Sequence, residues 1–479
     1  MAADYQSGDR IVTNGSVHVL SADEASMLRG GGMLVQLPTR IDVVPPAVVS
    51  LVNDAVTRAR RAFEELGGVD DDAISAFFRS FARRLADDEV FVRVAEANAA
   101  DVEAALKAGR HVGRLVVDEK MRRAMVESAV VWAQSPVRME NVVDRVNHDG
   151  WSVERVAAPL GVVAFVFEGR PNVCVDAAGV LRSGNTCVFR IGSDALGTAK
   201  AILEECLCPA LLESGLPEDA VVLVESVERS AGLALFGDTR VSLAVARGSG
   251  QAVRELGFVA RSRGIAVSLH GTGGAWMLVG ERFSPERLRA TLYNSLDRKV
   301  CNTVNVVCIP ESAWSDAKPT VVEVLGRIAA DRSKPCVVHL VGGATTEFDG
   351  HIGLDVRASH EDELSTEWEW EDAPELFVVR TASLESAFDL CNTYSPHFVV
   401  SVVSSDPLDV SRAWQRVDAP FVGDGFTRWV DGQFALDKPE LGLSNWQNGR
   451  TLARGGILSG DDIRTYRFRM QQADDDLRR

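Results

Sequence analysis

Between residues 47 and 132 apolar positions return at helical spacing. Val49, Val52, Val56, Ala59 and Phe63 form one stripe, a second runs over 74–85 and a third over 90–106. Several amphipathic helices therefore precede the first core strand, and 121–132 adds another. The period then changes: 137–157 alternates apolar and polar around Asn147-His-Asp-Gly150, the pattern of a hairpin closed on an Asp-Gly turn. From 161 short apolar runs alternate with helical stretches. Strands are expected over 161–167, 186–190, 221–224 and 241–246, with helices over 173–182, 195–208 and 231–236 and another opening at Gly250. This succession calls for a parallel sheet with helices on both faces and ligands at the strands' carboxyl ends. A second cycle is expected from Ile265, with strands over 265–269, 276–279, 304–309, 337–340, 376–379 and 399–403 and a helix over 285–296. The first 45 residues are mixed: 11–20 reads as one or two strands, Gly30-Gly31-Gly32 breaks the chain and Pro45-Pro46 closes it. The acidic, Trp-rich run 361–372 reads as a solvated flap.

Within this frame one loop carries chemistry. Arg298 and Lys299 stand just before Cys301, which opens the apolar run 304–309. A loop thus delivers a thiol to the start of a buried strand, and adjacent cations favour the attacking thiolate. Cys308, deep in the run, fits a buried structural cysteine instead. Arg247-Gly-Ser-Gly250 at a helix start can offer backbone N–H groups to a phosphate; a plain turn satisfies the same residues. Arg190 can neutralise a phosphate or merely solvate a sheet edge. Asn172, after Pro171, is either a turn residue or an amide donor for an oxyanion. The eight histidines supply no obvious relay partner for a thiol, which suggests covalent catalysis without a hydrolytic triad.

Composition narrows the classes. At 479 residues, 46% hydrophobic and 25% charged, the chain is an ordinary globular protein of two or three lobes. A formal charge of −17 argues against a nucleic-acid partner. Eight scattered cysteines, including the Cys206-x-Cys208 pair in an expected helix, suggest a reducing compartment and no metal site. Neither a secretory leader nor an apolar run of membrane-spanning length is visible, so a cytoplasmic setting away from membranes is expected.

Several motifs occur together: Pro159-Leu-Gly-Val-Val, Phe167-Glu-Gly-Arg-Pro-Asn-Val173, Asp176-Ala-Ala, Ser183-Gly-Asn185 and Val300-Cys-Asn-Thr-Val304. Further on come Phe426-Thr427, Asp431-Gly-Gln-Phe434, Ala453-Arg-Gly455 and Thr465-Tyr466. In this order they resemble the gamma-glutamyl phosphate reductase family (glutamate-semialdehyde dehydrogenase, phosphorylating) of the aldehyde dehydrogenase superfamily, over roughly 47–470. The resemblance implies an α/β, aldehyde dehydrogenase-like fold: two Rossmann-like αβα domains plus a small oligomerisation hairpin and flap. It divides the chain into an N-terminal extension (1–45), an NADP-binding domain (46–136 and 158–264), an oligomerisation hairpin with C-terminal strand (137–157 and 445–479) and a catalytic domain (265–444). By position, it makes Cys301 the nucleophile and Asn172 the oxyanion-hole amide. Arg190, Ser193, Gly248, Ser249 and Gly273 fall to the cofactor, and Arg170, Asn302 and His397 to the substrate.

The activity so implied is NADPH-dependent reduction of an acyl phosphate, gamma-glutamyl phosphate first, to an aldehyde through a Cys301 thioester. An amino-acid kinase would be the functional partner and a homo-oligomer the assembly. Hydrolysing members of the superfamily place a Glu just before the Gly-Gly that matches Gly273-Gly274. The matching position here is Gly271, so no base is offered there for water, with Glu168 and Glu440 as the carboxylates able to take over. The chain departs from the family in its first 45 residues, in a slightly shorter Cys301 loop, in the segment after Phe434 and in Phe398-Val399 after His397. Those departures favour as alternatives another aminoacyl phosphate, an acyl thioester, or a catalytically silent scaffold relative.

Overall fold

The computed structural model describes residues 5–13, 16–450 and 456–477; the Ala453-Arg-Gly455 motif lies outside them. The chain divides into two compact units, 1–269 with 437–443 and 457–479, and 270–436 with 444–456.

The first unit is built on a five-stranded sheet, in the order Ala266–His270, Val241–Arg247, Val162–Val166, Thr186–Arg190, Val221–Leu223. The last four strands run parallel. Side chains of the central strand alternate between two buried layers: Val163 and Phe165 join Phe77, Phe78, Phe81 and Trp132, while Val162, Ala164 and Val166 join Val52, Val56 and Phe236. The period-2 alternation on a fully apolar strand is the signature of burial on both faces. The layers are supplied by the long helices Pro46–Leu66, Asp71–Ala86 and Glu119–Gln134, with Asp88–Lys107 beside them. Asp70, Asp87 and Asp118 each accept backbone N–H groups at a helix start, satisfying donors a helix cannot pair internally. The chain order changes direction between Val162–Val166 and Val241–Arg247, which makes their carboxyl ends a switch point of the sheet.

The second unit carries a seven-stranded sheet, Leu354–Ala358, Cys336–Val341, Glu375–Thr381, Val304–Pro310, Ala275–Val279, Val399–Val403, Phe421–Gly423, parallel throughout. Val304, Val307 and Ile309 face one buried layer and Val306 and Cys308 the other. A separate three-stranded antiparallel sheet in the first unit pairs Trp151–Pro159 with Asn141–His148 and with Arg464–Gln472.

Several expectations are revised. Strand Ala266–His270 borders the first sheet and does not open the second cycle. The helix expected over 173–182 tightens into a 3-10 turn at Gly179–Ser183. The one over 195–208 breaks at a π turn, Leu203–Leu207, because Pro209 has no N–H for the turn before it. Arg84 takes the carbonyl of Glu205 in that turn at 3.2 Å. Helices Trp314–Arg332, Leu384–Tyr394 and Pro407–Arg416 complete the second unit beyond what the pattern gave. Among the described residues of the N-terminal stretch, strands Arg10–Thr13 and Ser16–Val19 pair where one or two strands are expected over 11–20. The helix Ala22–Arg29 and the paired strands Met33–Gln36 and Ile41–Val44 are added to that reading.

Candidate functional site

In the second unit the loop 295–303 enters strand Val304–Pro310 and sets Cys301 at its amino end, partly exposed. The other seven cysteines are poor nucleophiles. Burial pushes the thiols of Cys208 and Cys336 up to about 11, those of Cys174, Cys206 and Cys391 up to about 12, and those of Cys187 and Cys308 well above their ordinary value.

The Cys301 loop is knitted by backbone groups to the loop before strand Ala275–Val279. Gly274 N–H donates to the Cys301 carbonyl at 2.8 Å and Ala275 N–H to the Thr303 carbonyl at 2.8 Å. A Cβ on Gly273 would lie 2.7 Å from Cys301 Cα, and Gly274 sits at φ +101° with Asn305 Cβ 2.9 Å from where its own would be. Only glycine meets both the close approach and the left-handed backbone. The Gly273-Gly274 step is thus a seat for the Cys301 backbone.

A third loop closes the arrangement. Glu367 accepts Lys299 Nζ on Oε1 at 2.5 Å and Gly273 N–H on Oε2 at 2.5 Å, and Asn305 binds the backbone of Thr366 and Trp368. Trp368 stacks on His339 at 4.0 Å between ring centres. The run 361–372 is largely exposed, as a solvated flap would be, but it is tied down at Glu367 and Trp368. Its tryptophans, unfavourable to leave in water, anchor it and its carboxylate ties two loops together. The charge argument changes with it: Lys299, only 5% exposed, is neutralised by Glu367, leaving Arg298 as the exposed cation. Glu367, Thr303 and Asn305 escaped the sequence reading. Two tryptophans inside an acidic run were the signal that could have found them.

Asn302 is buried; its Nδ2 donates to the Val430 carbonyl at 2.9 Å and its Oδ1 accepts from Arg428. It braces the loop and borders a cavity of about 550 Å³ with Arg298, Asp297, Arg428, Asp431 and Phe434. His397 holds an unusual left-handed backbone, φ +50°, fixed by Nδ1 2.7 Å from the Asp418 carbonyl and by Trp446 N–H on its own carbonyl at 2.9 Å.

The first unit holds the remaining residues. A cleft of about 960 Å³ opens at the switch point, lined by Glu168, Arg190, Ser193, Arg229, Gly248 and Ser249 among others. Loops meet tightly there: a Cβ on Gly192 would stand 2.8 Å from Gly169 N. Arg190, 9% exposed, gives one hydrogen bond, to the Val227 carbonyl at 3.1 Å, and its Nε has no partner. Burial, and then nearby Arg229, lower its pKa. Arg247 pairs with Asp176 at 3.1 Å and Glu440 at 2.9 Å, so Glu440 is committed to an ion pair. Arg170 and Arg114 each lie 3.8 Å from Glu168. Asn172 precedes helix Val173–Ala178, and its side-chain amide makes no hydrogen bond among the described residues. The structure thus gathers Arg190, Ser193, Gly248 and Ser249 on one cleft, and Cys301, Asn302 and Gly273 on one knot of loops.

No family model matches the chain. Curated relatives do, over nine-tenths of its length: a gamma-glutamyl phosphate reductase of Methylobacterium radiotolerans is 29% identical over 443 residues, 90% of this chain and 95% of the relative. Among solved structures, the gamma-glutamyl phosphate reductase of Thermotoga maritima superposes with a TM-score of 0.76 at 24% identity, covering 89% of this chain and 100% of that one. An acetylating aldehyde dehydrogenase of Geobacillus thermoglucosidasius gives a TM-score of 0.64 at 13% identity, covering 90% and 99%. The fold is that of the aldehyde dehydrogenases, and the resemblance read from the motifs extends along the chain.

Proposed function

We propose that this chain is an acyl-phosphate reductase with gamma-glutamyl phosphate as its substrate and Cys301 as its nucleophile. The thiolate adds to the acyl carbon, the oxyanion is held by the Asn172 amide and backbone N–H groups, and inorganic phosphate leaves to give a thioester. A bound nicotinamide dinucleotide supplies the hydride that brings the acyl group to the aldehyde level. The observation that carries this reading is the seating of Cys301 on Gly273-Gly274, with glycine at 271 where hydrolytic relatives are expected to place a base. The nearby carboxylate of Glu367 has one oxygen engaged by Lys299 and the other by Gly273, which leaves it poorly placed to activate water.

The first-unit cleft fits a dinucleotide. A buried arginine with an unpartnered Nε, a second arginine beside it and an open helix start at Gly250 favour an anion. On that basis we assign NADPH, with Arg190, Ser193, Gly248 and Ser249 along it. Arg170, Asn302 and His397 are assigned to the substrate side. The proposal extends to an amino-acid kinase that supplies the acyl phosphate and to a cytoplasmic setting. It also includes a homo-oligomer formed through 137–157 and the C-terminal strand, where Val142, Val146, Tyr466, Phe468 and Met470 are exposed.

The test is the reverse reaction. With glutamate semialdehyde and phosphate, or arsenate in its place, the chain reduces NADP⁺ faster than with a panel of other aldehydes. A different aldehyde turning over faster overturns the substrate assignment, and no turnover with any of them overturns the activity.

A further inference from the structure

Residues 24–44, outside the family resemblance, help to build the cleft. Val35, Leu37 and Val44 pack into the same apolar cluster as Leu233, Phe236, Val253 and Leu256, on helices Ser230–Phe236 and Gly250–Ser262 that flank it. Glu24, Met27 and residues 40–43 then line the cleft together with Arg190 and Ser193. One side chain here does more than pack. Arg40 donates Nη1 and Nη2 to the two oxygens of Glu255 at 2.6 and 3.0 Å, and Nε and Nη2 to those of Asp42 at 2.9 and 3.0 Å. Glu255 stands on the cleft-flanking helix, its side chain 17% exposed, and the hydrogen bond from Arg40 holds its carboxyl below the usual range.

We propose that Arg40 is a specificity-determining residue of the cofactor cleft, masking the charge of Glu255 so that the cleft accepts the phosphates of a dinucleotide, the 2′-phosphate of NADPH above all. This rests on the dinucleotide reading of the cleft. An ionised Glu255 without its partner would repel an anionic ligand in the same cleft at separations shorter than the distance over which salt screens exposed charges. A role in stability alone fits poorly. The Arg40 side chain is 44% exposed, and ion pairs that open to water contribute little to folding, while the hairpin's apolar underside holds it in place.

The full chain is titrated with NADPH and with NADH, following the fluorescence of the reduced nicotinamide. Arg40→Ala weakens NADPH binding about tenfold or more and NADH binding less, because the added 2′-phosphate raises the repulsion. Glu255→Gln in the Arg40→Ala background removes one of the two carboxylates that Arg40 pairs, leaving Asp42, and raises NADPH affinity at least about threefold over the single variant. The melting temperature of each variant is recorded, and Arg40→Met, which keeps the apolar stem, replaces Arg40→Ala if that variant unfolds. An unchanged NADPH affinity in a folded Arg40 variant, or a double variant as weak as the single one, overturns the proposal alone. A wild-type chain that binds neither dinucleotide overturns the reading of the cleft as well.

Discussion

In the first sheet the candidate residues stand after the strands: Glu168, Arg190 and Gly248 follow Val162–Val166, Thr186–Arg190 and Val241–Arg247 at or near their carboxyl ends. In the second they stand before them: Gly273, Cys301, Glu367 and His397 precede Ala275–Val279, Val304–Pro310, Glu375–Thr381 and Val399–Val403. The two ends suit different tasks. A loop leaving a strand for a helix, as at Gly248-Ser249, offers N–H groups and a helix dipole to an anion that comes and goes. A loop entering a strand is fixed by the ladder it joins. The Cys301 loop is locked by backbone bonds from Gly274 and Ala275 and by the Lys299–Glu367 pair. In the proposed function one end holds a ligand and the other holds a nucleophile still, so each should be breakable without the other.

The largest effect belongs to Cys301→Ala, which removes aldehyde formation entirely while leaving NADPH binding within about twofold of wild type. The same substitution abolishes labelling by a thiol reagent at pH 8. Thiols pushed up to 11 or 12 stay protonated there, and their thiolate grows only as pH rises toward those values. Cys308→Ala keeps both activity and labelling. Equal loss in the two variants would show that the wrong thiol has been assigned.

Next comes Glu367→Ala, which leaves buried Lys299 unpaired and frees Gly273 N–H. Its kcat falls about a hundredfold through loss of positioning, with NADPH affinity unchanged. A fall in NADPH affinity comparable to the fall in kcat would merge the two regions functionally. On the other side, Arg190→Ala weakens NADPH binding about tenfold to a hundredfold, the worth of a hydrogen bond to a charged group, yet leaves the rate of Cys301 labelling unchanged. Slower labelling in this variant would contradict the separation. The smallest effect, on stability, is that of Gly274→Ala. Its left-handed φ and the nearby Asn305 Cβ give a loss of about 1–3 kcal/mol in denaturant unfolding.

The sequence was more legible at the first sheet than at the second. Continuous apolar strands, each followed by a polar turn, announced both the parallel sheet and the ends where ligands gather, because local chemistry and topology agree there. At the second site Cys301 was visible through its flank, and the Gly273-Gly274 step through its motif. What binds them was not. Glu367 lies 66 residues beyond Cys301, and nothing local shows that its carboxylate bridges Lys299 and Gly273. The acidity of its run marks a solvated surface, and most of it is exposed, while the stack of Trp368 on His339 that anchors it joins residues far apart in the chain. The strands at 10–19 fall where 11–20 reads as one or two strands, whereas the pair Met33–Gln36 and Ile41–Val44 is hidden because strands of four residues carry little periodicity.

The central claim is that the Cys301 thioester is exchanged with phosphate and not with water. It is tested most directly by supplying glutamate semialdehyde and NADP⁺ with and without phosphate and identifying the product. A positioned base is worth about 10²–10⁴-fold in water attack, and glycine occupies position 271, where relatives are expected to carry one. The account predicts turnover that depends on phosphate and yields the acyl phosphate. Brisk formation of free acid without phosphate would contradict it, making the chain a hydrolytic dehydrogenase with its base elsewhere.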